Sequence, residues 1–171
     1  KGNRNRLGMT FERFVLASML DQVTEAATQR LQVMSRGRYA LRRTMDRLTS
    51  RSAAGLGLEV FDAYTGRERS VTTLSGGEGF MASLSLALGL ADVVQSYAGG
   101  IRLDTIFVDE GFGTLDPESL DLAIDTLGEL QREGGRLVGV ISHVPELVER
   151  VDARLEISMT DRGSKTRFVV G

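Results

Sequence analysis

TIFVDEGFGTLDPESLDLAIDTLGELQREGGRLVGVISH, residues 105–143, decides the architecture. Thr105 to Val108 is a short apolar run that ends in two acids, and Leu137 to Ile141 is a second apolar run. The chain between them is punctuated as a helix: Asp116 is placed to cap it, Pro117 to occupy its first position and Gly134 to follow it. Strand, helix, strand is a βαβ unit, so the two runs are expected to be parallel neighbours in one sheet. Open α/β sheets bind ligands at the carboxyl ends of such strands. Asp109 and Glu110 end the first strand, and Ser142-His143 follows the second, with the only histidine of the chain.

Two adjacent carboxylates at that edge suit phosphate chemistry. Asp109 would hold a hydrated Mg²⁺, a hard cation that favours carboxylate and water, while Glu110 would orient and deprotonate an attacking water. Taken singly, such a pair reads as a solvated strand end and a lone histidine as a structural or surface residue. Their shared position at one sheet edge favours a site.

Toward the amino terminus, Leu74-Ser75-Gly76-Gly77-Glu78 opens a helical stretch from Gly76 to Tyr97. Phe80, Met81, Leu84, Leu86, Ala87, Leu88, Leu90, Ala91 and Val94 make it apolar almost all round, so it is expected to be deeply buried. The glycines leave backbone N–H groups exposed, and with the Ser75 hydroxyl and the positive end of the helix dipole they form an anion site suited to phosphate. On its own, this motif reads as an N-cap followed by a flexible turn.

Further out, Thr10 is a plausible N-cap for a long amphipathic helix carrying Phe11, Phe14, Val15, Leu16, Leu20, Val23, Ala27, Leu31 and Met34, ended by Gly37. Tyr39 and Leu41 alternate with arginines as a strand, the stretch to Gly57 breaks the period, and Leu58, Val60 and Phe61 resume one before a turn at Tyr64 to Arg67. Beyond His143, Pro145 opens a short helix ending near Val151, and Arg154 to Met159 with Thr166 to Val170 reads as a terminal hairpin.

Length suits one domain, 1–171, divided into a helical segment 1–37, antiparallel strands 38–73 and a site-bearing core 74–171. Composition is that of a globular protein, with 42% hydrophobic and 26% charged residues, and no unbroken run of the roughly 18 apolar residues that a membrane helix needs. Without cysteine there is neither a disulfide framework nor a thiolate metal site, and no leader pattern is present, so a cytoplasmic setting with no membrane partner is expected. The start at Lys1, with no element before the first helix to pack against, points to a piece of a longer protein. Net charge is uneven: residues 1–51 hold 11 Lys/Arg against 4 Asp/Glu, and residues 52–171 hold 10 against 19. A basic segment beside an acidic body fits either an anionic partner such as DNA or a solvated helix face.

In order and spacing these motifs resemble the ATP-binding cassette (ABC) superfamily: a signature at Leu74 to Glu78, a Walker B strand at Thr105 to Glu110, a D-loop at Thr114 to Asp116 and a switch histidine at His143. Within it, Asp109-Glu110-Gly111-Phe112-Gly113-Thr114-Leu115-Asp116 and Val140-Ile141-Ser142-His143-Val144 resemble the SbcC family, the ATPase components of a DNA-end-processing nuclease complex. The resemblance covers residues 56–160 best and the first 55 more loosely.

It implies the C-terminal lobe of an ABC-type ATPase head, an α/β fold with a mixed sheet around a parallel βαβ core, a long N-terminal helix at a coiled-coil root and a C-terminal hairpin. ATP and Mg²⁺ would be its cofactors. Its partners would be the N-terminal lobe of the same protein, a second head, the nuclease subunit SbcD and DNA. Glu110 would be general base, His143 a γ-phosphate contact and Asp109 the Mg²⁺ residue. Ser75, Gly76, Gly77 and Glu78 would close on nucleotide held by the partner head, and Asp116 would link across the dimer face.

One required part is missing from this stretch. The phosphate loop G-x-x-x-x-G-K-[ST] needs a lysine, and Lys1 and Lys165 are the only two. Gly163-Ser164-Lys165-Thr166 fails, because Ser164 and Met159 stand where glycines are needed. The isolated chain is therefore expected not to hydrolyse ATP. Two other readings compete. In a serine hydrolase, Ser75, Asp109 or Asp116, and His143 would form the triad, but Thr73 breaks the G-x-S-x-G elbow. A cassette lobe serving only dimerisation or DNA binding fits the missing loop, yet the intact Asp109-Glu110 pair argues for a live site.

Overall fold

A computed structural model describes residues 10–44, 56–99, 103–161 and 163–171. The long helix α1 runs Phe11–Met34, and its cap is the expected one: Thr10 Oγ1 accepts the Arg13 N–H at 3.3 Å. It stops through left-handed turns at Arg36 and Gly37, with Gly37 N–H donating to Gln32 O at 2.7 Å. The chain then enters β1 (Tyr39–Thr44), which pairs antiparallel with β2 (Gly57–Asp62), itself antiparallel to β3 (Arg67–Ser70). Residues 45–55, where the sequence loses its period, lie outside the described residues. Val71–Thr73 forms a 3-10 turn that ends the run of antiparallel strands before Ser75.

Helix α2 (Gly76–Tyr97) lies against α1, and the two backbones touch: a methyl on Gly89 would fall 2.7 Å from Val23 O and 2.8 Å from Ala27 N. Leu84, Leu88 and Met81 of α2 join Ala27, Leu31 and Met34 of α1, Tyr39, Leu41 and Val60 of the sheet, and Leu120, Ala123 and Leu127 of α3 (Pro117–Gly134) in one core. Asp92 of α2 ties α1 to the chain just past α3, accepting from Arg30 at 2.6 Å and from Arg136 at 3.0 Å. By length and mean hydropathy of 1.3, α2 would suit a membrane span, which the lack of an unbroken apolar run in the sequence concealed; in the structure its Met81, Leu84 and Leu88 are buried in the core.

The βαβ unit forms as read. β4 (Thr105–Asp109) and β5 (Leu137–Ile141) are parallel, with Asp109 opposite Ile141, and α3 connects them. Asp116 caps α3 and Pro117 follows it, as expected. β6 (Ala153–Thr160) and β7 (Gly163–Val170) form the terminal hairpin, with Thr160 opposite Gly163.

Four expectations need correction. Parallel and antiparallel strands occupy three separate sheets among the described residues, not one mixed sheet, because nothing in them bridges β4–β5 to either antiparallel set. Helix α3 continues through Gly134, and Gly135, in the left-handed conformation at φ 64°, ends it. The helix after Pro145 is a 3-10 turn, Pro145–Leu147. Finally, α2 is not buried all round: Leu90, Val94 and Tyr97 are exposed.

Candidate functional site

β4 alternates, with Ile106 and Val108 turned inward while Thr105, Phe107 and Asp109 face out. Asp109 thus stands on the open face of the sheet. One residue on, Glu110 adopts φ 58°, a conformation that costs a non-glycine residue energy and tends to persist at functional sites. Its N–H still donates to Ile141 O at 2.8 Å, so the backbone keeps pace with β5 while leaving the strand alternation. Its carboxylate meets the end of the neighbouring strand: Glu110 Oε2 lies 2.9 Å from His143 Nδ1. His143 is 82% exposed. A pair so open to water adds little stability, so its interest is positional.

The loop after Glu110 is tightly built. Phe112 is buried and packs edge-on against Phe80 of α2 with ring centroids 4.9 Å apart. Thr114 Oγ1 donates to Gly111 O at 2.8 Å. Against this loop lie the signature glycines: a methyl on Gly77 would sit 2.7 Å from Thr114 O, and one on Gly76 would touch the Thr114 side chain at 3.6 Å. Glycine at 77 is therefore demanded by packing as well as by N–H exposure.

Ser75 is the N-cap of α2. Its Oγ accepts the Glu78 N–H at 3.3 Å and Glu78 Oε2 accepts the Ser75 N–H at 2.9 Å, a complete capping box. The first-turn N–H groups of Gly76 and Gly77 have no intrahelical carbonyl to reach. Asp116 does the same service for α3, accepting the Ser119 N–H at 2.9 Å and the Ser119 hydroxyl at 2.7 Å. Those bonds, the hydroxyl first, hold its carboxyl below the usual range.

Behind Glu78 lies a network that no local pattern announced. Tyr39 OH donates to Glu78 Oε1 at 2.5 Å, and Arg38 and Arg69 each approach Glu78 at 3.5 Å. Both arginines also face the buried Asp62, at 3.2 and 3.9 Å. The Arg38 bond, more than any other influence, keeps the Asp62 carboxyl low. Burial would raise Glu78, but the bonds from Tyr39 and Ser75 and the charge of Arg69 outweigh it and leave the carboxyl lowered. Burial, then the bond to Glu78, pushes the Tyr39 phenol up to about 12.

The candidate residues fall into two groups. Ser75, Gly77, Glu78 and Asp116 line a cleft of about 410 Å³ together with Arg36 and Tyr64. Glu110 and His143 meet at the strand ends outside it, with Asp109 beside them, and His143 borders a second hollow of about 260 Å³. No cluster of three or more Asp, Glu or His side chains stands ready for a metal among the described residues. Asp109 and Glu110 are nevertheless the donors Mg²⁺ accepts when one or two carboxylates and substrate phosphates share its shell. Arg38, Arg42 and Arg43, in the basic segment 1–51, all have ion-pair partners within the chain, Asp62, Glu68 and Asp21.

The fold defines a class by architecture, that of SMC head domains. A structure of the Smc head domain with an extended coiled coil bound to the C-terminal domain of ScpA, from Pyrococcus furiosus, superposes with a TM-score of 0.67 at 18% identity, covering 93% of this chain and 37% of that one. A chain from structural work on ATP-driven dimerization and DNA-stimulated activation of SMC ATPases gives 0.68 at 18% identity, over 92% of this chain and 89% of that one. Residues 48–129 match the SbcC/RAD50-like, Walker B motif family. The chain is 58% identical over 161 residues to the SbcC component of nuclease SbcCD from Vibrio cholerae and 52% identical over 160 residues to that from Treponema pallidum, 94% of this chain in both cases. The chain is thus similar to the SbcC components of nuclease SbcCD, and it spans only 16% and 15% of the length of those two relatives.

Proposed function

We propose that this chain is the C-terminal lobe of an ATPase head in a DNA-end-processing complex, completed by an N-terminal lobe that carries the phosphate loop. The observation that carries the reading is the meeting of Glu110 and His143 at the carboxyl edge of a parallel strand pair, 2.9 Å apart, with Asp109 adjacent. ATP would be bound by the N-terminal lobe and closed over by the signature of a second head, whose Ser75 hydroxyl and Gly76 and Gly77 N–H groups donate to the γ-phosphate. Glu110 accepts a proton from water as its oxygen attacks the γ-phosphorus, the bond to the β-phosphate oxygen breaks, and ADP and phosphate leave. His143 orients Glu110 and contacts the γ-phosphate. Asp109 would hold Mg²⁺, which when bound neutralises charge on the phosphates.

Head closure driven by ATP would act on an SbcD-type nuclease partner and on DNA, in a cytoplasmic complex. The relatives' own name, as components of nuclease SbcCD, supports this part. In the full-length protein, Glu110→Gln is expected to cut turnover by about 100-fold or more while ATP-dependent head dimerisation persists. Turnover near the parent rate in Glu110→Gln would sink the assignment of the base. The isolated chain should show no hydrolysis, and adding the N-terminal lobe in trans should restore it.

A further inference from the structure

Arg69, on β3, has its guanidinium stretched between the two ends of the signature turn. On one side Nη1 donates to Thr73 O at 2.8 Å and to Thr73 Oγ1 at 2.7 Å; on the other Nη2 faces Glu78 Oε2 at 3.5 Å and Tyr39 OH at 3.3 Å. Thr73 stands two residues before Ser75 and Glu78 three after it, so one planar group brackets the serine. Glu78 Oε2 is also the acceptor of the Ser75 N–H. The bracket is anchored from below: Asp62, buried at the end of β2, lies 3.9 Å from Arg69 and binds Arg38, which reaches Glu78 in turn. Two arginines thus balance two carboxylates, and the phosphate-facing donors of Ser75, Gly76 and Gly77 project from a neutral base.

We infer that Arg69 is a positioning residue for the signature serine: it bridges Thr73 and Glu78 so that the Ser75 hydroxyl and the following N–H groups are held ready for a phosphate on the partner head. This rests on the ATPase reading proposed above. The bracket needs a fork. A lysine at 69 keeps the charge but is a single point donor and cannot hold Thr73 and Glu78 together.

The test uses the full-length protein and compares Arg69→Lys with Ser75→Ala and with their double variant. Amide exchange is read first, since it needs no nucleotide. Arg69→Lys is expected to speed exchange in the segment 73–79 while α1 and α3 keep their protection; unchanged exchange in 73–79 overturns the inference, and loss of protection throughout the fold overturns it too, as it would make Arg69 a general stabiliser. Turnover is read second. Nucleotide on the cis cradle is untouched by the change, so kcat should fall about tenfold with KM for ATP moved less than about twofold, and Arg69→Lys should add almost nothing once Ser75 is alanine. Full additivity of the two substitutions would mean that Arg69 acts elsewhere. If Ser75→Ala itself leaves turnover and ATP-driven dimerisation intact, the ATPase reading of the signature fails, a result distinguishable from failure of the bracket because the exchange measurement stands independently.

Discussion

A methyl group on Gly77 would collide with a backbone carbonyl, Thr114 O at 2.7 Å, which no rotamer change relieves. Gly77→Ala should therefore push the D-loop away from the signature and cost about 1–3 kcal/mol, measured by urea unfolding of the chain. Gly76→Ala, whose methyl would make ordinary contacts at 3.6 Å, is its control and should cost less. The carboxylates behind the signature carry a pH dependence of definite sign. Asp62 and Glu78 both have lowered pKa values in the folded protein, so the stability they lend is fully present above their unfolded values and is lost as pH falls through the folded ones. Asp62→Asn should flatten the acid limb of a stability-against-pH curve below about pH 4. An unchanged limb would show that the network does not couple to folding. At this scale the sequence singled out Ser75, Asp109, Glu110, Asp116 and His143 as candidates, because each sits next to a local signal, a cap, a strand end or a glycine turn. Arg69 and Asp62 carried none, since the partners of Arg69 are 4 to 30 residues away.

Among the elements, α1 and α2 depend on close backbone approach at Gly89. Gly89→Ala adds helix propensity but inserts a methyl against Val23 O and Ala27 N. The collision wins: about 1–3 kcal/mol of overpacking exceeds the roughly 1 kcal/mol that alanine gains over glycine in a helix. Thermal unfolding should shift down by a few degrees for a chain of this size; a rise in Tm would refute the tight packing. Element identity was legible because periodicity and caps are local, as Thr10, Ser75, Asp116 and Pro117 show. Boundaries were less so. Gly134 and Gly135 are indistinguishable in sequence, and only the second takes positive φ. The uniform apolarity of α2 foretold burial, yet Leu90, Val94 and Tyr97 are exposed, since a helix records that a face is apolar and not what covers it.

At the scale of the whole molecule, much of the open apolar surface among the described residues lies on the sheets, with another share at the start of α1, where Phe11 and Phe14 are exposed. Phe107, Leu137 and Ile141 on β4–β5 and Leu155, Ile157, Met159, Phe168 and Val170 on the hairpin are all more than half exposed. A lobe that completes the head would cover such faces, so the isolated chain should bind a hydrophobic dye strongly and self-associate, and the N-terminal lobe should suppress both. Dye binding unchanged by that lobe would count against the two-lobe head. Two arginines of the basic segment already have partners within the chain. Arg43 is paired with Asp21 at 2.6 Å and Arg42 with Glu68 at 2.6 Å, so neutralising them should first reduce stability by a few tenths of a kcal/mol each, and any steep salt dependence of DNA binding should trace to other cations. By itself the amino-acid sequence determined the three long helices, the parallel strand pair and the chain order of the candidate site residues, because hydrophobic period, capping residues and glycine turns act over a few residues. Only the tertiary structure decided that Glu110 meets His143, that Gly77 rests on Thr114 and that Arg69 and Asp62 stand under Ser75. Those contacts join distant segments, and their geometry is set by how helices and sheets pack.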